Sequence, residues 1–205
     1  MNHDQMFRIV LLTGLLVLFP IMLVYRIRSQ STRERLDRRQ EGLFILATLR
    51  PIGVVMLVGV ISFLIDPAWM AWSSLRIPAP VRWTGIALGA IAGGLIVWTF
   101  HHLGRNLTDT VVTRRAHTLV TAGPYRWVRH PFYDSVALLM LGISLAAANW
   151  FLFLIGGVLF WLFVIRTRRE EACLLARFGD SYRAYLNRTG RFLPRLSAAR
   201  ASARR

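Results

Sequence analysis

Polar side chains able to do chemistry gather in two stretches of this 205-residue chain. Leu119–Tyr133 reads LVTAGPYRWVRHPFY and brings Tyr125, Arg126, Arg129, His130 and Tyr133 close together. Arg166–Pro194 reads RTRREEACLLARFGDSYRAYLNRTGRFLP and carries the adjacent carboxylates Glu170 and Glu171. Guanidinium and imidazolium groups hold anions, glutamates hold cations or hydroxyls, and tyrosine faces suit flat or cationic groups. A plainer role stands beside each. Arg126, Arg129, Tyr125 and Tyr133 are also the residues that anchor a helix at a membrane interface. His130 and Asp134, one helical turn apart, could simply pair. In the second stretch Leu174, Leu175, Phe178, Tyr182, Tyr185 and Leu186 predict one apolar-aromatic helix face, as in a helix lying among headgroups. Glu170 and Glu171 fit that role poorly, since a carboxylate gains nothing from an acidic lipid surface and calls for a cationic partner.

Other chemistries find no purchase. Cys173 is the single cysteine and belongs to no C-x-x-C pattern. His101 and His102 are adjacent, so on a helix they diverge by about 100° and cannot readily share a metal. No Ser–His–carboxylate order, phosphate-binding Walker loop or strand-flanked G-x-G-x-x-G is present. Arg50, followed by Pro51 inside an apolar run, is a further candidate, because intramembrane charges usually face a cavity or a partner; snorkelling to the surface is its bland alternative.

The elements that must position these residues are membrane helices. Hydrophobic residues make up 55% of the chain, charged residues only 18%, and mean hydropathy is +0.44, outside the range of ordinary soluble domains. Five apolar runs predict spans at Phe7–Tyr25, Gly42–Ile65, Val81–Leu103, Phe132–Ala148 and Trp150–Ile165. The last two are short and form a helical hairpin. The first reads as a retained span rather than a signal peptide, lacking a small-residue cleavage site. The expected architecture is an all-α integral membrane bundle of about five transmembrane helices plus a cytoplasmic amphipathic C-terminal helix. Residues 1–103 form an N-terminal membrane region, 104–194 a catalytic region, and 195–205 a basic, disordered tail. The net charge of +16 comes from 26 arginines and no lysine. Six of them lie in residues 26–41, five in 104–130 and eleven from Arg166 onward. This loop bias predicts the N-terminus outside and the C-terminus in the cytoplasm, with acidic lipid headgroups rather than nucleic acid as the partner. Trp69, Trp72 and Trp83 fit the opposite interfacial belt. Gly85, Gly89 and Gly93 form a small-residue stripe expected to pack within the chain rather than in a dimer seam.

Gly123-Pro124-Tyr125-Arg126, then Val128-Arg129-His130-Pro131 and Tyr133, followed about forty residues on by Glu170-Glu171, Leu174, Phe178-Gly179, Tyr182 and Tyr185, resembles the isoprenylcysteine carboxyl methyltransferase family. Its wider relatives include membrane phospholipid N-methyltransferases. The similarity runs from Leu103-Gly104-Arg105-Asn106 and His117-Thr118-Leu119-Val120 to Pro194. The resemblance implies an integral membrane methyltransferase that uses S-adenosylmethionine on a lipophilic or lipidated acceptor, at the cytoplasmic face. It assigns Tyr125, His130, Pro131, Tyr133, Glu170 and Glu171 to the cofactor, with Tyr185 in support. Arg129 and Glu171, together with Arg50, are the candidate catalytic residues. One departure is Asp134-Ser135 where the family pattern commonly runs x-Gly after the tyrosine. Carboxyl O-methylation is the first expectation. The alternatives are phospholipid N-methylation, an NADPH-dependent lipid reductase carrying a related Arg-His-Pro-x-Tyr segment, and a non-enzymatic adaptor for acidic lipid.

Overall fold

A computed structural model describes residues 3–30, 43–104 and 118–195. Residues 1–2, the arginine-rich residues 31–42, residues 105–117 with His117, and residues 196–205 lie outside the described residues. The elements run α1 (His3–Gln30), α2 (Leu43–Ile65), a 3-10 helix at Pro67–Ser73, α3 (Ala79–Leu103), a 3-10 turn at Gly123–Arg126, α4 (Pro131–Ala146), α5 (Trp150–Phe178) and α6 (Asp180–Arg188). All five expected apolar runs are helical. Among the described residues, four helices are long and apolar enough to cross a bilayer, whereas α4 has 16 residues, about 24 Å. Their outward faces carry exposed Leu16, Phe19, Leu57 and Phe153, side chains that hydrocarbon, not water, would accept. The chain is an all-α integral membrane protein.

Small residues and caps set the packing. In lipid, apolar side chains gain little by meeting one another, so close backbone approach decides which helices pair. A methyl group at Gly85 would lie 2.6 Å from the Ala146 nitrogen, and one at Gly142 would lie 2.7 Å from the Gly85 carbonyl oxygen. Gly85 and Gly89 of the α3 stripe therefore pack against α4, and Gly93 faces Leu18 of α1. Between α4 and α5 the turn is fastened from outside. Asn149 caps α5 by accepting the Leu152 N–H at 3.0 Å, and its amide donates to the Ser73 hydroxyl at 2.7 Å. The Leu75 N–H meets the Ala148 carbonyl at 2.7 Å.

The fifth helix runs on past Ile165 to Phe178, 29 residues in all. One expectation changes. The expected single face from Leu174 to Leu186 is divided, because Gly179 adopts φ +52° and ends α5 before α6 begins, a backbone conformation that glycine accepts without strain. Arg82, near the start of α3, is buried. Its Nε donates to the Ala146 carbonyl at 2.9 Å, its Nη1 pairs with Asp4 at 2.6 Å, and its guanidinium lies 4.1 Å from the Phe7 ring centroid. It joins the starts of α1 and α3 to the end of α4.

Candidate active site

The site forms where α4 begins and α5 emerges. Pro131 suits the first turn of α4, where its missing N–H costs nothing, and this fixes His130 as the residue just before the helix. Glu170 lies twenty residues along α5 from Trp150, about 30 Å at the helical rise and so one hydrocarbon thickness away. Beyond α6 the chain turns back as Thr189–Phe192. The Arg129 N–H donates to the Gly190 carbonyl at 2.9 Å, the His130 N–H to the Arg191 carbonyl at 3.2 Å, and the Gly190 N–H to the Trp127 carbonyl at 3.3 Å. Residues 127–130 and 190–191 thus run side by side in parallel. Gly190 is required here, since a methyl group on it would overlap the Leu193 carbonyl oxygen.

This pairing assembles a charged cluster. Arg129 Nε donates to Glu171 Oε1 at 2.9 Å, and its Nη1 reaches the carbonyls of Leu186 (3.3 Å) and Thr189. His130 Nε2 lies 3.3 Å from Glu171 Oε1, and its Nδ1 lies 3.9 Å from Glu170 Oε2. The Tyr133 hydroxyl donates to Glu170 Oε2 at 2.9 Å. Arg191 closes the set, with Nε donating to Glu171 Oε1 at 3.2 Å and Nη2 donating to Oε2. The two glutamates consequently differ. The Glu171 side chain is 11% exposed and surrounded by cations, whereas that of Glu170 is 29% exposed.

Aromatic rings frame the cluster. His130 stacks on Tyr133 (centroids 5.6 Å, 13°), and Tyr133 stacks on Phe163 (4.8 Å, 11°). Phe192 lies 5.9 Å from His130 and 5.7 Å from Phe160. The Tyr185 hydroxyl donates to the Tyr125 carbonyl at 2.6 Å, which ties α6 to the 3-10 turn. Burial, with help from the Glu170 charge, pushes the Tyr125 phenol well above its ordinary range. Burial pushes Tyr185 up to about 12, with Arg129 and Arg188 pulling it back. Both phenols stay neutral donors at physiological pH. Among the described residues, the hydroxyl of buried Tyr182 has no hydrogen-bond partner.

Of the residues singled out from sequence, the structure brings together Arg129, His130, Tyr133, Glu170 and Glu171, flanked by Pro131, Tyr125 and Tyr185. Arg50 is exposed on α2 and makes no hydrogen bond or ion pair with the cluster among the described residues. His130 turns its ring to the glutamates, and its carbonyl accepts the Asp134 N–H at 3.3 Å. Ser135 is buried and returns its hydroxyl to the Pro131 carbonyl at 2.7 Å, so it fits where the motif commonly has glycine. Sequence reasoning missed Arg191, Thr189 and Phe192. Their only signal was the Thr-Gly-Arg-Phe turn after the last helix.

The match to known proteins follows the same region. The phospholipid methyltransferase family model matches residues 81–181. The protein-S-isoprenylcysteine O-methyltransferase of Schizosaccharomyces pombe is 34% identical over 94 residues, 44% of this chain and 40% of the relative. That of Mus musculus is 29% identical over 126 residues, 60% of this chain and 44% of the relative. The nickel-cobalt-cadmium resistance protein NccN of Alcaligenes xylosoxydans xylosoxydans is 31% identical over 118 residues, 57% and 55% of the two chains. The region spanning α3 to the start of α6 thus resembles the phospholipid methyltransferase family, and the chain spans less than half the length of the isoprenylcysteine O-methyltransferases it matches.

Proposed function

We propose that the chain is a membrane-embedded, S-adenosylmethionine-dependent methyltransferase acting on a lipophilic acceptor, with a carboxylate as the group methylated. The observation that carries this reading is the meeting of His130 and Tyr133 with Glu170 and Glu171, drawn from segments some forty residues apart onto one end of the bundle.

The residue set fits the cofactor. S-adenosylmethionine supplies an electrophilic methyl group on a cationic sulfur, next to an ammonium, a carboxylate, a ribose diol and a flat base. Glu170, half-committed to Tyr133 and partly exposed, suits the ammonium or the diol. The rings of His130, Tyr133 and Tyr125 offer faces to a cation or a base. The unpartnered Tyr182 hydroxyl is a buried polar group that a ligand would satisfy. Arg129 and Glu171 hold these side chains in place, because their charges are spent on each other and on backbone carbonyls.

Acceptor chemistry follows from the same bookkeeping. An amine or hydroxyl must lose a proton to be methylated, which calls for a general base. In the cluster Glu171 is saturated by cations and Glu170 already accepts the Tyr133 hydroxyl. A carboxylate acceptor needs neither to be released, so the barrier falls mainly through alignment. Placement near one bilayer surface supports an acceptor that arrives through lipid. The arginine bias of the loops supports the cytoplasmic face.

The test is direct. Purified protein in detergent should bind S-adenosylhomocysteine, and should transfer a labelled methyl group to a prenylated cysteine bearing a free carboxylate, giving a base-labile ester. His130→Ala should abolish binding. Base-stable label on a phospholipid amine would move the assignment to N-methylation, and unchanged affinity in His130→Ala would remove the site.

A further inference from the structure

Glu171 Oε1 receives three donors, from Arg129, His130 and Arg191, whereas Oε2 receives only Arg191. The same Arg191 accepts the His130 N–H on its backbone carbonyl at 3.2 Å. One residue of the returning segment therefore grips the start of α4 through its main chain and the end of α5 through its side chain. No other described side chain restrains the second oxygen of Glu171.

We propose that Arg191 is a positioning residue that divides the labour of the two neighbouring glutamates, an inference that rests on the methyltransferase reading above. Its planar fork spans both oxygens of Glu171, fixing the plane of that carboxylate and directing Oε1 at His130 Nε2. Glu171 is thereby kept inward as a permanent acceptor, and Glu170 alone is left to meet a cationic ligand. Without Arg191 the Glu171 carboxylate is free to turn, two adjacent anions compete for one cation, and His130 loses its aim. The Phe192 ring, next in the chain, covers His130 from the same segment.

The measurement is S-adenosylhomocysteine affinity in detergent by calorimetry, beside KM for S-adenosylmethionine and kcat. Arg191→Ala should weaken binding about tenfold or more, in the range for a lost charge-assisted hydrogen bond. The donor KM should rise more than kcat falls. Low-millimolar guanidinium should restore part of the affinity of Arg191→Ala, and urea should not. Arg191→Lys, which keeps the charge and the fold but loses the fork, should fall between Arg191→Ala and the native protein. In Glu171→Gln, adding Arg191→Ala should cost little further, because Arg191 acts through that carboxylate. Wild-type affinity in Arg191→Lys, no guanidinium effect, or additive losses in the double variant would each overturn the proposal while leaving the general reading intact. Failure of the native protein to bind S-adenosylhomocysteine would overturn both.

Discussion

At the residue level, Tyr133 does two separable jobs. Its ring is sandwiched between His130 and Phe163, and its hydroxyl donates to Glu170. Tyr133→Phe keeps the sandwich and should weaken S-adenosylhomocysteine binding by about tenfold, the size of one hydrogen bond to a charged group. Tyr133→Ala should abolish binding and also lower the melting temperature, since an aromatic-to-alanine change at a buried site costs about 3–5 kcal/mol. Tyr185 sets a pH dependence of stability. Its pKa rises from an ordinary value near 10 to about 12, so the folded protein holds a proton that the unfolded chain has begun to lose. That stability is fully present below pH 10 and drains away between pH 10 and 12. Thermal melting across this window should fall more steeply for the native protein than for Tyr185→Phe. His130, Tyr133 and the two glutamates stood out in the sequence through the resemblance of their two motifs to a known family. Arg191 was not, because half of its job is done by a carbonyl oxygen, and main-chain contacts leave no mark on residue identity.

At the level of elements, the α3–α4 seam and the α4–α5 turn make sharper predictions than the apolar surface does. Gly142→Ala puts a methyl group 2.7 Å from backbone atoms of Gly85 and Gly89, whereas a methyl group at Gly89 meets nothing within 4 Å. Gly142→Ala should cost about 1–3 kcal/mol by overpacking, with Gly89→Ala near neutral when detergent melting curves are compared. The stripe itself was readable from its four-residue period. Which of its glycines carries the seam was not, since that depends on the partner helix and its rotation. Asn149 is both the cap of α5 and the tie to Ser73 and Met70. Asn149→Ala should cost about 1–2 kcal/mol, seen as a lower melting midpoint with S-adenosylhomocysteine affinity reduced less than in Arg191→Ala. The break at Gly179 escaped the periodicity argument because apolar residues kept helical spacing across it, while a positive φ is a property of one backbone position.

At the level of the whole molecule, orientation in the bilayer has a built-in reporter. Cys173 is the only cysteine in the sequence and lies two residues past Glu171 on the emerging end of α5, partly accessible. In sealed inverted vesicles a membrane-impermeant maleimide should label it, and in intact spheroplasts it should not; the reverse pattern would place the site on the outer surface. The apolar runs made the membrane bundle plain from composition alone. The pairing of buried Arg82 with exposed Asp4 did not show, because the partners are 78 residues apart and each reads locally as an ordinary interfacial charge. That pair, with Asn149 and the Ala148 carbonyl, stitches one end of the bundle, and the candidate site sits at the other. Because α4 is 16 residues and α5 is 29, the stitched turn acts like the zero mark of two unequal rulers. It sets the height at which position 133 of one comes level with position 170 of the other. Residues at that far end thereby set the geometry of the candidate site without belonging to it.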